Sequence, residues 1–549
     1  MTENTDGLPE PVARARGHAL GDIPRRTARR VPNKIALVDG DTQLTFAEFD
    51  ERIDRVAAAL TVAGLRRGER LAVLAHNCWQ YPVLVFAAAR LGVVAVPINF
   101  MLGAAEIAYI LEHSRAAAIA VEDELTVVAE EALRLSDNGV RLRAVIGDAR
   151  GGWIGVDEWL DHARAPLPDI VIGDDEVVRL MYTSGTESRP KGAMLSSRSL
   201  LWQYVSVLAD GGMDGHDIEV HALPLYHCAQ LDCFLIPDIY LGSTSVILRR
   251  PDPDELLATI ERERATKLFA PPTVWIGLLR SPKFDTADLS SLRKGYYGAS
   301  AMPREVLLEL QRRLPGVRLW NFYGQTEMAP TATVLQPEDQ LDKGGSAGRA
   351  TLNTETQVVD DADEPLPPGE VGEIVHRGPH TMSGYLNDPE RTAEAFRNGW
   401  FHSGDLGYID ESGYLYVVDR KKDMIKTGGE NVASREVEEV VYAHPAVAEV
   451  AVFGVPHPTW IEAVTVAIVL KTGATATAEE IIWHCRTHLA GYKTPKFVVV
   501  LDDLPRNPSG KLLKRELRER YSGLAAEMVP GLNGVYPPEH RPRDLGIRS

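Results

Sequence analysis

Between Lys34 and about residue 350 the chain keeps returning to one rhythm. A short apolar or β-branched run is followed by a segment with apolar residues at helical spacing. Residues 35–38 predict a strand. Residues 46–65 predict a helix, with Phe49, Ile53, Val56 and Leu60 on one face and Gly64 near its end. Strand 71–74, helix 79–91 and strand 93–96 follow, and strand-like runs recur at 144–146, 177–183, 219–223, 245–248 and 267–270. A chain written this way is constrained to an α/β fold, with largely parallel sheets covered by helices.

The texture changes after residue 350. Runs at 356–359, 372–376 and 414–418 are separated by tight turns (Asp360-Asp361, Pro367-Pro368-Gly369), which predicts a β-rich, hairpin-containing subdomain. The charged stretch Asp419-Arg420-Lys421-Lys422-Asp423 comes next. Beyond it lies a small α+β pattern: helix 434–443, strands 447–453 and 464–470, helix 478–489 and strand 497–500. The expected division is a large domain over 1–418, a hinge at 419–422, a small C-terminal domain over 423–520 and a tail over 521–549. Residues 1–30 are polar and basic and read as a loosely packed lead-in. The tail is rich in Pro, Gly and charge and lacks a core of its own.

Composition narrows the function classes. The 549 residues carry 59 Lys and Arg against 77 Asp and Glu, a net charge of −18. That balance argues against nucleic-acid binding and allows at most peripheral membrane contact. Any anionic substrate must therefore meet local positive groups. Cys78, Cys228, Cys233 and Cys485 are too few and too scattered for a disulfide framework or a structural zinc site. The N-terminal stretch has no apolar core of a signal peptide, and no run is long enough to span a membrane. A cytoplasmic location is the default expectation, and a homodimer stays open.

The most informative segment is Thr183-Ser184-Gly185-Thr186-Glu187-Ser188-Arg189-Pro190-Lys191-Gly192, entered from a buried strand. Hydroxyls, backbone N–H groups and a lysine at the end of a strand suit phosphate. The spacing is not that of the Walker loop. Taken alone, the segment also reads as a plain polar turn. Four more motifs follow: Tyr323-Gly324-Gln325-Thr326-Glu327 after an apolar strand at 317–322, Ser403-Gly404-Asp405 in a turn, Asp419 to Asp423 leading to Gly428-Gly429, and Pro508-Ser509-Gly510-Lys511. In this order they resemble the adenylate-forming superfamily: acyl-CoA synthetases, peptide-synthetase adenylation domains and beetle luciferases. The resemblance spans roughly residues 30–520 and is nearest to bacterial fatty-acid–CoA ligases.

The resemblance implies roles. Thr183, Ser184, Gly185, Thr186 and Lys191 would hold the β- and γ-phosphates of ATP. Thr326 would contact the α-phosphate, and Glu327 would hold Mg²⁺. Gly298, Ala299 and Ser300 would line the adenine and acyl sites, with Tyr323 and Gly324 against the adenine. Asp405 and Arg420 would reach the ribose, and Lys511 would bridge the attacking carboxylate and the α-phosphate. Lys422 falls at the family's hinge, about which the small domain rotates between half-reactions, and Gly428 and Gly429 fall where the CoA thiol arm enters. Trp202, His227, Gln230, Leu231 and Ala299 would border the acyl group. The loop departs from the family's pattern at Glu187 and Ser188, where Thr and Gly are usual. Glycine's freedom is lost there, and a carboxylate near phosphates needs a partner such as Arg189.

The implied reaction is ATP-dependent acyl-CoA ligation. A carboxylic acid becomes an acyl-adenylate with loss of pyrophosphate, and CoA then displaces AMP. The acyl-site segments show no lysine or arginine for a second carboxylate, so the expected acid is a medium- or long-chain fatty acid. An aryl acid is the alternative, as is transfer to an acyl carrier protein in place of CoA. A non-catalytic binding module is disfavoured by Lys511. His484 and His488 lie one helical turn apart, but no third metal ligand accompanies them.

Overall fold

In the computed structural model the described residues are 9–149, 151–160, 167, 170–183, 190–298, 300, 302–506 and 512–524. The chain forms two compact units. One comprises Met1–Gln357, Val375–Ser403 and Asp410–Tyr416, the other Val358–Ile374, Gly404–Ile409 and Val417–Ser549. A single cut at 419 does not describe this division, because two short segments from the hairpin region belong with the C-terminal unit.

The first unit holds two large sheets. One has nine strands in the order Arg349–Ala350, Thr331–Leu335, Arg318–Gly324, Lys294–Gly298, Lys267–Phe269, Ile218–His221, Thr244–Ile247, Ile35–Asp39 and Thr42–Thr45. It is parallel through the middle and antiparallel at both ends. The other has eight strands: Gly384–Tyr385, Lys191–Ser196, Val177–Thr183, Val94–Ile98, Arg70–Leu74, Ala118–Glu122, Leu142–Ile146 and Ile154–Gly155. The predicted α/β rhythm is the parallel part of these sheets. A further four-stranded sheet is built from Glu355–Val359, Gly372–Arg377, Phe401–Ile409 and Leu415–Arg420.

Local chemistry explains the helices. Helix Phe46–Val62 starts at a capping box: Glu48 N–H donates to the Thr45 hydroxyl at 3.2 Å, and Thr45 N–H donates to the Glu48 carboxylate at 2.8 Å. Its Phe49, Ile53, Val56 and Leu60 are buried as the spacing predicts. Helix Gln80–Arg90 is buried along nearly its whole length, which is why its sequence is apolar all round. Its one charge, Arg90, is neutralised by Asp50 and Asp54, each at 2.6 Å.

Two expectations are corrected. Residues 18–30 are not a loose lead-in. Leu20 and Ile23 have no exposed surface, and Leu20 N–H donates to Ser197 Oγ at 3.0 Å. Arginines around them conceal two core residues. Ser403-Gly404-Asp405 is not a turn; it lies inside strand Phe401–Ile409. Sheet pairing overrides the poor strand propensity of Gly and Asp there.

In the second unit, Glu430–Val432, Ile425–Thr427, Ile461–Leu470 and Val447–His457 form a sheet, with Phe497–Val500 parallel to Ile461–Leu470. Val437, Val441, Ile481 and Cys485, from helices Ser434–Tyr442 and Ala478–His488, pack on one face. Leu504 and Leu517 join the cluster on the other. Residues 463–468 are therefore buried on both sides and read as a continuous apolar run. Among the described residues no helix is long and apolar enough to cross a membrane.

Candidate active site

Strand Val177–Thr183 pairs antiparallel with Lys191–Ser196, and Thr183 is the register partner of Lys191. The hydroxyl-rich loop therefore connects two locked strands and brings its first threonine beside its lysine. Ser184, Gly185, Thr186, Glu187, Ser188 and Arg189 lie outside the described residues, as do Ala299 and Lys511. Lys511 precedes Leu512, which forms an antiparallel bridge with Arg506.

Thr326 and Glu327 sit on the short 3₁₀ turn Thr326–Met328, just past strand Arg318–Gly324. Both are half-buried. Gly324 is required by close approach: a Cβ there would lie 2.1 Å from the Pro330 carbonyl oxygen. Tyr385, which the sequence reading did not single out, organises this end of the site. Strand Gly384–Tyr385 pairs with Ala193 and Met194, so it runs beside the lysine-bearing strand. The Tyr385 hydroxyl donates to Glu327 Oε1 at 2.8 Å, and Lys191 Nζ lies 5.2 Å from the centre of its ring. Burial, then the Glu327 charge, push the Tyr385 phenol above its ordinary pKa, so it stays a donor. Lys191 and Glu327 thus both contact one tyrosine, the lysine at its ring and the carboxylate at its hydroxyl, although they are 136 residues apart in sequence.

Thr326 also touches the acyl-site segment. Its Oγ1 shares a hydrogen bond with Cys228 Sγ at 3.3 Å. His227 is exposed and caps the turn Cys228–Gln230 by accepting the Ala229 N–H at 3.1 Å. Gln230 and Leu231 go elsewhere. Leu231 is in the core, and Gln230 is fully buried, bonded to His221 Nδ1 at 2.7 Å and to Leu223 N–H at 3.2 Å. That anchor belongs to a buried charge network in which Lys267 meets Glu219 at 2.7 Å and Asp238 at 2.5 Å. Trp202 stands 44% exposed on helix Ser197–Asp210. Gly298 ends its strand opposite Phe322, Ser300 is exposed, and the Tyr323 ring lies 6.1 Å from that of His376.

The C-terminal unit carries the other predicted residues. Asp405 is buried and its Oδ1 lies 3.3 Å from Arg420 Nε. Lys421 meets Glu373 and Asp361, each at 3.3 Å. Lys422 is exposed, and its carbonyl accepts Arg518 Nη1 at 3.2 Å. Gly428 and Gly429 are the two central residues of the hairpin between Ile425–Thr427 and Glu430–Val432, with φ of +61° and +89°. No backbone atom crowds either Cα, so the left-handed turn itself calls for glycine.

The arrangement gathers a lysine, a hydroxyl and a carboxylate at strand ends. That set suits a polyphosphate and a hard cation. The comparisons agree. A family model described as AMP-binding enzyme matches residues 24–386, and one described as AMP-binding enzyme C-terminal domain matches 436–511. A feruloyl-CoA synthase of an Amycolatopsis species is 40% identical over 92% of this chain and 100% of its own length. A long-chain-fatty-acid–CoA ligase of Mycobacterium tuberculosis is 35% identical over 92% of this chain and 98% of its own. Among solved structures, an anthranilate CoA ligase in complex with anthranoyl-AMP superposes with a TM-score of 0.86 at 27% identity, covering 95% of this chain and 100% of that one. The chain belongs to the AMP-binding family of adenylate-forming enzymes, as an ATP-dependent acyl-CoA ligase.

Proposed function

We propose that the acid activated by this enzyme is an aryl or arylalkenoic acid. The observation that carries this reading is the 40% identity to a feruloyl-CoA synthase along its whole length. The 35% identity to a long-chain-fatty-acid–CoA ligase favours a second reading, a fatty acid.

In the first half-reaction a carboxylate oxygen attacks the α-phosphorus of ATP and pyrophosphate leaves. Thr183 and Lys191, with the loop hydroxyls, hold the β- and γ-phosphates, and Thr326 donates to the α-phosphate. Glu327 offers the hard oxygen that Mg²⁺ prefers, and such an ion would offset the negative charge that gathers in the transition state. Tyr385 orients that carboxylate without cancelling its charge. Lys511 supplies positive charge where the carboxylate and α-phosphate meet. Asp405 accepts from the ribose hydroxyls, and Tyr323 faces the adenine. In the second half-reaction the CoA thiol attacks the acyl carbon, AMP leaves, and Gly428-Gly429 border the thiol arm. Lys422 is the pivot of the C-terminal domain between the two steps.

The test is a panel of aryl and fatty acids with ATP and Mg²⁺, reading pyrophosphate release and thioester with and without CoA. Aryl acids should give both products. Turnover of fatty acids alone would overturn the aryl reading. Pyrophosphate release without any thioester would assign a different acceptor.

A further inference from the structure

Helix Ala104–Ser114 reaches both ends of the hydroxyl-rich loop. Tyr109 and His113 lie four residues apart on it, so they share one face. Their rings stack, with centres 5.4 Å apart and planes 20° apart. The Tyr109 hydroxyl donates to the Pro190 carbonyl at 3.2 Å, directly before Lys191. His113 Nδ1 shares a hydrogen bond with the Tyr182 hydroxyl at 2.8 Å, directly before Thr183. The His113 and Tyr182 rings meet edge to face, 5.8 Å apart. One helical turn thus grips the residue before the entry threonine and the residue before the exit lysine.

Strand pairing cannot do this work alone. Pro190 precedes strand Lys191–Ser196 and has no N–H to give to a ladder, so its carbonyl is held by Tyr109 instead. Tyr182 is the register partner of Gly192. A Cβ at Gly192 would lie 3.0 Å from Leu180 Cδ1 and 3.4 Å from Tyr182 Cζ, so the glycine leaves room for the ring. The segment after Tyr385 joins the same cluster. Leu386 N–H donates to the Gly192 carbonyl at 2.8 Å, and Asn387 Nδ2 donates to the His113 carbonyl at 3.5 Å. Tyr109, His113 and Tyr182 are half-buried. Their polar atoms are spent on one another and on the chain that enters and leaves the loop.

We propose that Tyr109, His113 and Tyr182 are positioning residues for the triphosphate of ATP. They act through Thr183 and Lys191, whose backbones they fix, and the proposal rests on the reading that this pair holds the β- and γ-phosphates. A lysine ammonium is a point charge on a flexible stem, so its value to a phosphate depends on where its backbone is held. Donors and charges that are already in place stabilise an anion without reorganising, and that advantage is lost when their support loosens. Loosening either end of the loop should therefore weaken ATP, whose outer phosphates meet this pair. AMP, which lacks those phosphates, should be unaffected.

The test measures binding of MgATP and of AMP to the full-length protein by titration calorimetry, with no acid present. Tyr109→Phe and Tyr182→Phe each remove one hydroxyl and keep the ring. In each, the dissociation constant of MgATP should rise roughly three- to tenfold, while that of AMP stays within about twofold. His113→Leu should behave likewise, and His113→Asn, which keeps a polar atom near the place of Nδ1, should recover most of the loss. Lys191→Ala separates this proposal from the reading beneath it. If Lys191→Ala leaves the ratio of the two constants unchanged, the phosphate reading fails and the proposal with it. If Lys191→Ala shifts the ratio and the variants at 109, 113 and 182 do not, the proposal alone is overturned. Equal weakening of ATP and AMP in those variants would also overturn it, since a merely structural role gives that result.

Discussion

Glu327 and Asp405 are both carboxylates on or beside sheet strands, one in each compact unit, and they are held by opposite means. Glu327 accepts a hydrogen bond from a neutral donor, the Tyr385 hydroxyl at 2.8 Å. Asp405 faces a cation, Arg420, at 3.3 Å. A phenol fixes a carboxylate's direction and leaves its charge available to a metal ion. A guanidinium cancels the charge and leaves an acceptor suited to hydroxyls. In the reaction proposed above, Glu327 thus keeps its charge available, whereas Asp405 and Arg420 offset one another. Arg420 is 38% exposed in its pair and Lys421 is 48% exposed in its own. In each pair only the cation is partly exposed, since the side chains of Asp405 and Glu373 are 8% and 6% exposed.

The largest effect expected is at Lys511, the cation proposed above to act in adenylate formation. Lys511→Ala should lower adenylate formation by about 10²–10³-fold while supplied acyl-adenylate is still converted to thioester. Equal loss in both half-reactions, measured separately by stopped assays, would contradict the division of labour. Next is Glu327→Gln, which keeps the shape and removes the charge. Pyrophosphate release should fall about a hundredfold and the Mg²⁺ concentration for half-maximal rate should rise. Tyr385→Phe removes only the orienting hydrogen bond. A bond to a charged group is worth about 1.5–3 kcal/mol, so a loss of roughly 10- to 100-fold, with a raised Mg²⁺ requirement, is expected. If Tyr385→Phe leaves the Mg²⁺ titration unchanged, Tyr385 does not organise Glu327.

The same contrast bears on what could be read from the chain. Thr326, Glu327 and Lys191 stand out in the sequence because each sits in a short local motif, and the order of those motifs along the chain resembles one superfamily. Tyr385 does not, because it reaches Glu327 through strand pairing with Ala193 and Met194, nearly 200 residues away in sequence. Arg179 was hidden differently. Within the run Val177–Thr183 it looks like an interruption of a buried strand, and only the fold shows Asp232 against it. Helices with strong periodicity and a capping box, such as Phe46–Val62, came out within a few residues of their ends. The segment around Leu20 and the strand through Gly404 did not, since arginines masked one and glycine the other.

Smaller effects sharpen the comparison further. Gly429→Ala forces a Cβ into a left-handed turn and should cost about 1–2 kcal/mol of stability in the C-terminal unit, read by urea unfolding. A pH effect is also expected in the first unit. Burial lowers the His376 imidazole to about 3 and that of His380 to about 4. The unfolded chain takes up these protons near an ordinary histidine pKa of about 6.5, before the folded chain does. Their contribution is therefore complete above about pH 6.5 and is lost as pH falls toward 3–4. His444, His457, His484 and His488 of the C-terminal unit are not buried. His376→Gln should flatten the acid side of the thermal-stability profile, and the same change at His488 should not.

The central claim is that this chain forms an acyl-adenylate reversibly before any thiol is needed. Acid-dependent exchange of labelled pyrophosphate into ATP, without CoA, measures that step alone. Exchange that requires an aryl acid and Mg²⁺, and is lost in Lys511→Ala, is the predicted result. Exchange independent of any acid, or absent with every acid while thioester still forms from ATP and CoA, would contradict it.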